Sequence, residues 1–395
     1  MPLAVYILGL SIFAQGTSEL VTAGLLPELS SDLGVSIPQA GLLISAFALG
    51  MLFGAPILAV VTMRWSRRTA LIAFLAAFLL AHVAAVLTSD YWVLFATRVI
   101  AAFVYAGFWS VGAAAAVAMV PENARGRAMS IVAGGLTVAT IVGLPAGTFI
   151  GQHLGWRAAF WAVTILSAIA MAGVLSRVPD SRPDSTPDLR KELRAMATGQ
   201  VALLYGISTL ALAGLMATFG YLGALLIETT RVAPAWVPVL LAVYGIGAFL
   251  GIGIGGRTAD AHPTRTLVVG IVGLTITSAL LALTAHHIAA VVVLVFLLGA
   301  FGFGTNPVSS SRVYTLAPAA ITLGPAGNVV SFNIGITLGP WLGGLALGAG
   351  MDYPSVAWIC SGLSLGALGL VVWSQLLHRR TETSSAAPRL IEAVG

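Results

Sequence analysis

AVYILGLSIFAQGTSELVTAGLL, residues 4–26, is an apolar run with a single carboxylate, Glu19, set inside it. A helix rises about 1.5 Å per residue and crosses the bilayer core in about 20 residues, so this run is long enough to span a membrane. Of the 14 acidic residues in the chain, Glu19 alone falls well inside such a span; the others lie in short polar breaks, at span edges or in the tail. An ionisable group at that depth is costly unless it faces protein, a partner or water, and it therefore marks an ion or substrate pathway. The competing reading is a protonated glutamic acid bonded to a neighbouring helix, with no part in transport.

The same kind of run recurs. Cutting at polar breaks gives spans at 4–26, 41–61, 69–88, 92–118, 128–150, 158–176, 200–227, 237–256, 266–285, 289–312, 325–348 and 355–377. The alternation expected of an outer-membrane barrel is missing. With 58% hydrophobic and 8% charged residues over 395 positions and a mean hydropathy of +0.98, the chain cannot hide its apolar surface in one soluble core. The expected fold class is an all-α membrane protein of twelve transmembrane helices.

Chemistry of other kinds finds little support. Cys360 is the single cysteine, which excludes an internal disulfide and a cysteine-based metal cluster. No nucleophile elbow, phosphate-cradling loop or metal-ligand cluster stands out, so neither an enzyme, a metal nor a cofactor is expected. Gly251-Ile252-Gly253-Ile254-Gly255 lies in a span with no strand before it and does not read as a dinucleotide site. The first run has no basic residue ahead of it and carries a glutamate, so it reads as a retained helix and not as a cleaved signal.

Charge sets the orientation. Twelve spans leave both termini on one side; taken as cytoplasmic, that side holds all 19 Lys and Arg except Arg157 and Arg231 in outer loops and Arg98 in a span. The positive-inside rule then predicts a multi-pass protein of the inner (plasma) membrane with cytoplasmic termini. The net charge of +5 is thus a topology signal and not a nucleic-acid surface.

Two halves are expected. Residues 1–176 form one six-helix bundle, 177–199 a cytoplasmic linker rich in proline and charge, 200–377 a second bundle, and 378–395 a polar, unstructured tail. Pro187 to Arg194 can form a short amphipathic helix against anionic lipid. The halves repeat: Arg64-Trp65-Ser66-Arg67-Arg68 follows span two as Arg257 to Arg265 follows span eight, and Gly143-Leu144-Pro145-Ala146-Gly147 returns as Gly339-Pro340-Trp341-Leu342-Gly343-Gly344. Parallel repeats of this kind place a site between them near the midplane.

At these residues the chain resembles the major facilitator superfamily over nearly its whole length, and within it the drug:proton antiporters with twelve spans. Gly143-x-Pro145-x-Gly147 looks like the antiporter signature, and Arg98 sits like the span-four arginine of that superfamily. Gly16-Thr17-Ser18-Glu19-Leu20, Gly41 to Met51 and Gly155-Trp156-Arg157 are similar to the chloramphenicol-efflux branch and its arabinose-efflux relatives. The pattern departs at Met63, where an acidic residue is usual and only the second copy, Asp260, keeps one, and at Ala102, where a glycine is usual. The resemblance implies proton-coupled export of a small amphipathic drug, chloramphenicol-like, by rocking of the two bundles. Efflux of a sugar or other metabolite, and a transport-dead sensor or scaffold, are the rival readings. A small-molecule substrate, protons and membrane lipid are the expected partners, with the chain acting as a monomer.

Roles follow. Glu19 and Arg98 both lie roughly 10 Å below the outer surface at about 1.5 Å per residue and can meet if their helices adjoin. As a proton-exchanging pair they serve coupling; as a buried pair they only pin two helices. His82, at similar depth, can relay protons, although a packing role is the simpler one. Phe13, Gln15, Tyr105, Trp109, Tyr221, Asn306 and Asn333 are candidates for a mostly apolar pocket with a few orienting polar groups. Arg64, Arg68, Gly143, Pro145, Gly147, Asp260, Arg257, Gly339 and Pro340 are candidates for conformational switching.

Overall fold

The computed structural model describes residues 1–62, 64–121, 124–181, 189–259, 262–318, 320 and 323–392, and no strand occurs among them. Twelve helices in it are long and apolar enough to cross a membrane. They are α1 (Leu3–Gly24), α2 (Ile37–Val61), α3 (Arg67–Leu87), α4 (Tyr91–Ala118), α5, α6 (Trp156–Arg177), α7 (Gly199–Gly220), α8 (Val237–Ala259), α9 (Pro263–Thr284), α10, α11 (Leu323–Gly348) and α12 (Pro354–Glu392). Helix α5 consists of Arg125–Val138 and Leu144–Leu154 joined by a π turn at Ala139–Gly143; α10 consists of Ile288–Gly304 and Asn306–Leu316. A short helix, Leu189–Met196, falls in the linker, whose residues 182–188 lie outside the described ones.

Local chemistry explains several ends. Ser66 and Asp90 accept from the amides of Thr69 (3.2 Å) and Val93 (2.9 Å) and so cap α3 and α4. Two differences from the predicted spans are instructive. The last helix continues to Glu392, where a polar unstructured tail is predicted, because extending a helix already nucleated by a span costs little. The predicted span 200–227 breaks at Tyr221 (φ −112°, ψ 10°) before a second segment, Leu222–Glu228. Helix α1 breaks in the same way at Leu25 (φ −117°, ψ 14°) before Leu26–Leu33.

Those two breaks are related by the internal repeat, and the repeat extends to packing. Gly143 and Gly147 of α5 abut Thr17 and Val21 of α1; displaced by one constant interval, Gly339 and Gly343 of α11 abut Ala213 and Ala217 of α7. Likewise Gly50 and Gly54 of α2 lie on the carbonyls of Val99 and Phe103 in α4, as Gly247 and Gly251 of α8 lie on those of Phe296 and Ala300 in α10. Small residues at these four contacts let backbones touch, which supplies the dispersion that holds helices together where hydrophobic exclusion cannot.

Between the halves the packing is one-sided. At the end where α1 finishes, here called the far end, a single apolar cluster draws on both halves, from Leu25, Leu43 and Leu144 to Leu215, Leu241 and Val356. At the near end the clusters are separate: Leu8, Phe74 and Val132 belong to one half, Leu267, Ile271 and Val371 to the other. The seam of α5 with α8 shows the change within one helix face. Gly245 lies against the backbone of Thr140 and Ile141, whereas Gly256 on α8 and Gly134 on α5 meet open space. The halves are thus joined at the far end and splayed at the near end.

A polar clamp secures the far-end loops of the first half. Asp32 accepts from Trp156 Nε1 (2.9 Å) and from the Arg157 guanidinium, which also donates to Thr88 O (2.9 Å) and stacks 4.4 Å from the Trp156 ring. Gly155-Trp156-Arg157 therefore ties together the loops after α1, α3 and α5. The bonds from Trp156 and Arg157 hold the Asp32 carboxyl below its ordinary range, so its stabilising effect is present above that range and is lost as pH falls through the lowered value. Asp32 and Arg157 are both partly exposed, so solvent screening limits the effect. Asp32→Asn is expected to lower stability by about 1 kcal/mol or less at neutral pH. In thermal unfolding, the gap to the native protein should close below about pH 4.

Candidate functional site

The site is built where α1 crosses α4 and α3. Arg98 is 1% exposed, and its two terminal nitrogens donate to Ser18, one to Oγ and one to the backbone O, each at 2.8 Å. Its guanidinium lies 4.3 Å from the centre of the Phe47 ring and 5.6 Å from that of Phe160. Aromatic faces stabilise a desolvated cation in this arrangement. Arg98 Nε is buried without a partner. Ser18 Oγ is 2.7 Å from His82 Nε2, and His82 Nδ1 is 3.0 Å from Phe78 O. His82 stacks on Phe78 with ring centres 4.1 Å apart and is 2% exposed.

Glu19, one residue along α1, is half-buried and makes no hydrogen bond or ion pair among the described residues. The expected direct contact between Glu19 and Arg98 is therefore replaced here by Arg98 on Ser18. The reason is geometric: Arg98 reaches the face of α1 that presents Ser18 to α3, while the Glu19 side chain leaves the helix about 100° further round. Ser18 was not among the expected site residues, since an isolated serine in a helix carries no signal until the fold sets α3 beside it.

This cluster occurs in one half. Taken through the internal repeat, Glu19, Ser18 and Arg98 correspond to Leu215, Gly214 and Val295, none of which is charged. Phe47 corresponds to Tyr244, which stacks on Phe219 (4.7 Å) and meets Phe303 edge-on (6.2 Å), with its hydroxyl buried and unpartnered. The scaffold is duplicated and the ionic content is not.

The expected pocket residues are not equivalent. Phe13, Trp109 and Asn306 are partly accessible, and Tyr105 is buried with its hydroxyl near Gly16. Gln15 donates to Ser11 O (3.1 Å) and Asn333 to Val329 O (2.9 Å), and each keeps a buried amide oxygen without a partner. Those two oxygens are free acceptors. Tyr221 stands apart: it is fully buried and donates to Pro340 O at 2.8 Å, in the far-end seam and not in the splayed space.

Among the switching candidates, Gly143, Pro145 and Gly147 lie at the contact of α5 with α1, and Gly339 and Pro340 on α11 beside α7. Pro145 lacks an amide proton, which accounts for the π turn just before it, and that turn meets both α1 and α8. Arg68 donates to Leu175 O; Arg64 and Arg257 are exposed, and Asp260 lies outside the described residues.

Comparison with known proteins agrees with this architecture. Residues 8–239 match the family model of the Major Facilitator Superfamily. A "Chloramphenicol resistance protein" of Streptomyces lividans is 37% identical over 392 residues, covering 98% of this chain and 99% of its own. A "Probable sugar efflux transporter" of Helicobacter acinonychis is 28% identical over 373 residues, covering 93% and 92%. The crystal structure of a point mutant of the nucleoside transporter NupG superposes with a TM-score of 0.73 at 16% identity, over 94% of this chain and 99% of that one, which shows the shared fold.

Proposed function

This chain belongs to the major facilitator superfamily, and from that premise we propose that it exports a small amphipathic, chloramphenicol-like drug in exchange for protons. One observation carries the coupling reading: a half-buried carboxylate that makes no hydrogen bond or ion pair among the described residues, Glu19, stands next to a buried arginine in one half of a duplicated transporter scaffold. Such a carboxylate can take up and release a proton, and the nearby cation makes its charge matter to how the helices pack. The Streptomyces relative supports the substrate class. The unpaired amide oxygens of Gln15 and Asn333 and the aromatic rings of Phe13 and Trp109 suit a ligand with a few polar groups on an apolar body.

In this proposal the near end is cytoplasmic, a reading supported by the distribution of Lys and Arg, and the conformation is inward-open. The protein works as a monomer in the inner membrane. The 1–176 bundle holds the proton site, 177–199 is the linker, and the 200–377 bundle moves against the first. The charged loops around Arg64, Arg68, Arg257 and Asp260 govern switching and do not form the substrate site.

Sugar efflux is the second reading, supported by the Helicobacter relative. A susceptibility panel in cells lacking their own exporters separates the two. Expression is expected to raise the inhibitory concentration of chloramphenicol several-fold and to leave growth on sugar analogues unchanged. Protection against sugar analogues alone would transfer the assignment to the second reading; absence of any gradient in vesicles would leave a sensor or scaffold.

A further inference from the structure

With one proton on His82, the chain of hydrogen bonds through Ser18 runs in one direction. Arg98 can only donate and the carbonyl of Phe78 can only accept, so each group between them has a fixed role. Ser18 Oγ accepts from Arg98 and passes its own hydrogen to His82 Nε2. His82 Nδ1 then carries the hydrogen given to Phe78 O. In this arrangement both nitrogens of a neutral histidine are satisfied. A second proton on His82 would turn Nε2 into a donor, force the Ser18 hydrogen out of the chain and place a second cation one hydroxyl away from Arg98. The like charge of Arg98 so close by disfavours a second proton on His82 while Arg98 rests on Ser18.

That arrangement leaves the buried Arg98 cation bonded to Ser18 and not to a carboxylate, while Glu19, the next residue on α1, makes no hydrogen bond or ion pair among the described residues. A desolvated arginine in that position is strongly drawn to an ionised Glu19 and indifferent to a protonated one. We propose that Ser18 and His82 form a second docking position for Arg98, occupied while Glu19 holds a proton, and that Arg98 transfers to the Glu19 carboxylate when the proton leaves. The inference rests on the coupling role given to Glu19 above. It adds two positioning residues, Ser18 and His82, which act on the proton only through Arg98. The proton itself leaves Glu19 for water in the splayed space, and no group in the chain other than Glu19 changes its protonation.

The groups facing the cluster are few. Besides Glu19, they are Arg98 and Tyr105 on α4 and His82 on α3; α2, α5, α6, α7 and α8 carry no Asp, Glu, His, Lys or Arg away from their ends. Removing the docking position should thus act on one equilibrium. Without it Arg98 favours Glu19, the ionised form gains, and the carboxyl gives up its proton at lower pH.

The test uses the full-length purified protein and needs no transported ligand. The titration of Glu19 is followed in the infrared as the carbonyl stretch of its protonated carboxyl, identified by its disappearance in Glu19→Gln. Ser18→Ala and His82→Leu are each expected to move the midpoint down by about one pH unit, the scale on which a neighbouring cation acts. His82→Gln, whose amide oxygen can accept the Ser18 hydrogen, should keep the native midpoint. Either of the first two variants is sufficient if the other is not recovered folded. An unmoved midpoint in Ser18→Ala or His82→Leu would overturn the docking position, since a packing role alone lowers the yield of protein without displacing the titration. A displaced or lost titration in His82→Gln would also overturn it, because the native midpoint would then not depend on acceptance of the Ser18 hydrogen. A native protein in which no Glu19 band titrates would instead defeat the coupling reading on which the inference stands.

Discussion

Glu19→Gln protein in sealed vesicles is expected to bind substrate with an affinity that no longer varies with pH, and to lose uphill export on an imposed pH gradient. The amide keeps the shape of the side chain and removes its change of charge, so binding survives while coupling does not. Each pH unit across the membrane is worth about 1.4 kcal/mol per proton, a tenfold substrate gradient for one-for-one exchange. The native protein should approach that ratio, and the variant should stop at equal concentrations on both sides. Exchange of labelled for unlabelled substrate, which needs no proton, should persist in the variant. Glu19→Asp should retain part of the uphill activity, because the carboxylate is withdrawn by only one methylene. Uphill transport by Glu19→Gln at the native rate would remove Glu19 from the coupling role.

The reason for expecting so large an effect is the lack of a substitute. In a soluble enzyme several carboxylates can share a proton-transfer task, but here the helices that pack on α1 carry no second one away from their ends. The repeat supplies none, since Leu215 stands in the corresponding place. Proton chemistry is confined to one half, while the other half supplies the matching frame.

How much of this was legible in the sequence depends on how far apart the interacting residues lie. The twelve spans were legible because each is a continuous apolar run. The glycine pairs were legible as a repeated motif, but their partners were not: that Gly143 sits on Thr17 and Gly339 on Ala213 depends on helices placed together only in the fold. The break at Tyr221 carries no signal in the sequence, since Phe219-Gly220-Tyr221-Leu222 includes no proline. Tyr221 read as a cavity residue for the same reason, an aromatic side chain in a span whose surroundings are invisible in one dimension. Ser18 was missed because its role comes from His82 and Arg98, on two other helices.

The position of Tyr221 leads to the second large effect. Its ring enters a slot between the halves, formed by Gly41 of α2 on one side and Gly343 and Gly344 of α11 on the other, and its hydroxyl donates to Pro340 O. A Cβ placed on Gly41 would lie 2.7 Å from Tyr221 Cζ and would overlap the hydroxyl oxygen. The ring cannot retreat, because a Cβ on Gly343 would already stand 2.8 Å from its Cε2. Gly41→Ala is therefore expected to force the far-end seam apart. Overpacking of this kind costs about 1–3 kcal/mol, enough to shift a two-state population by about 5- to 150-fold. The penalty falls only on the conformation closed at the far end, so spin labels placed on the Leu26–Leu33 and Leu222–Glu228 segments should show a longer distance in Gly41→Ala than in the native protein. Transport should fall at least tenfold while ligand binding to the far-end-open form persists. Tyr221→Ala in the same chain removes the obstacle and should restore the short distance, although the bond to Pro340 is gone. A Gly41→Ala protein with native distances and native turnover would mean that the slot adapts, and that closure at this end is set by the surrounding apolar cluster and not by the fit of one ring among three glycines.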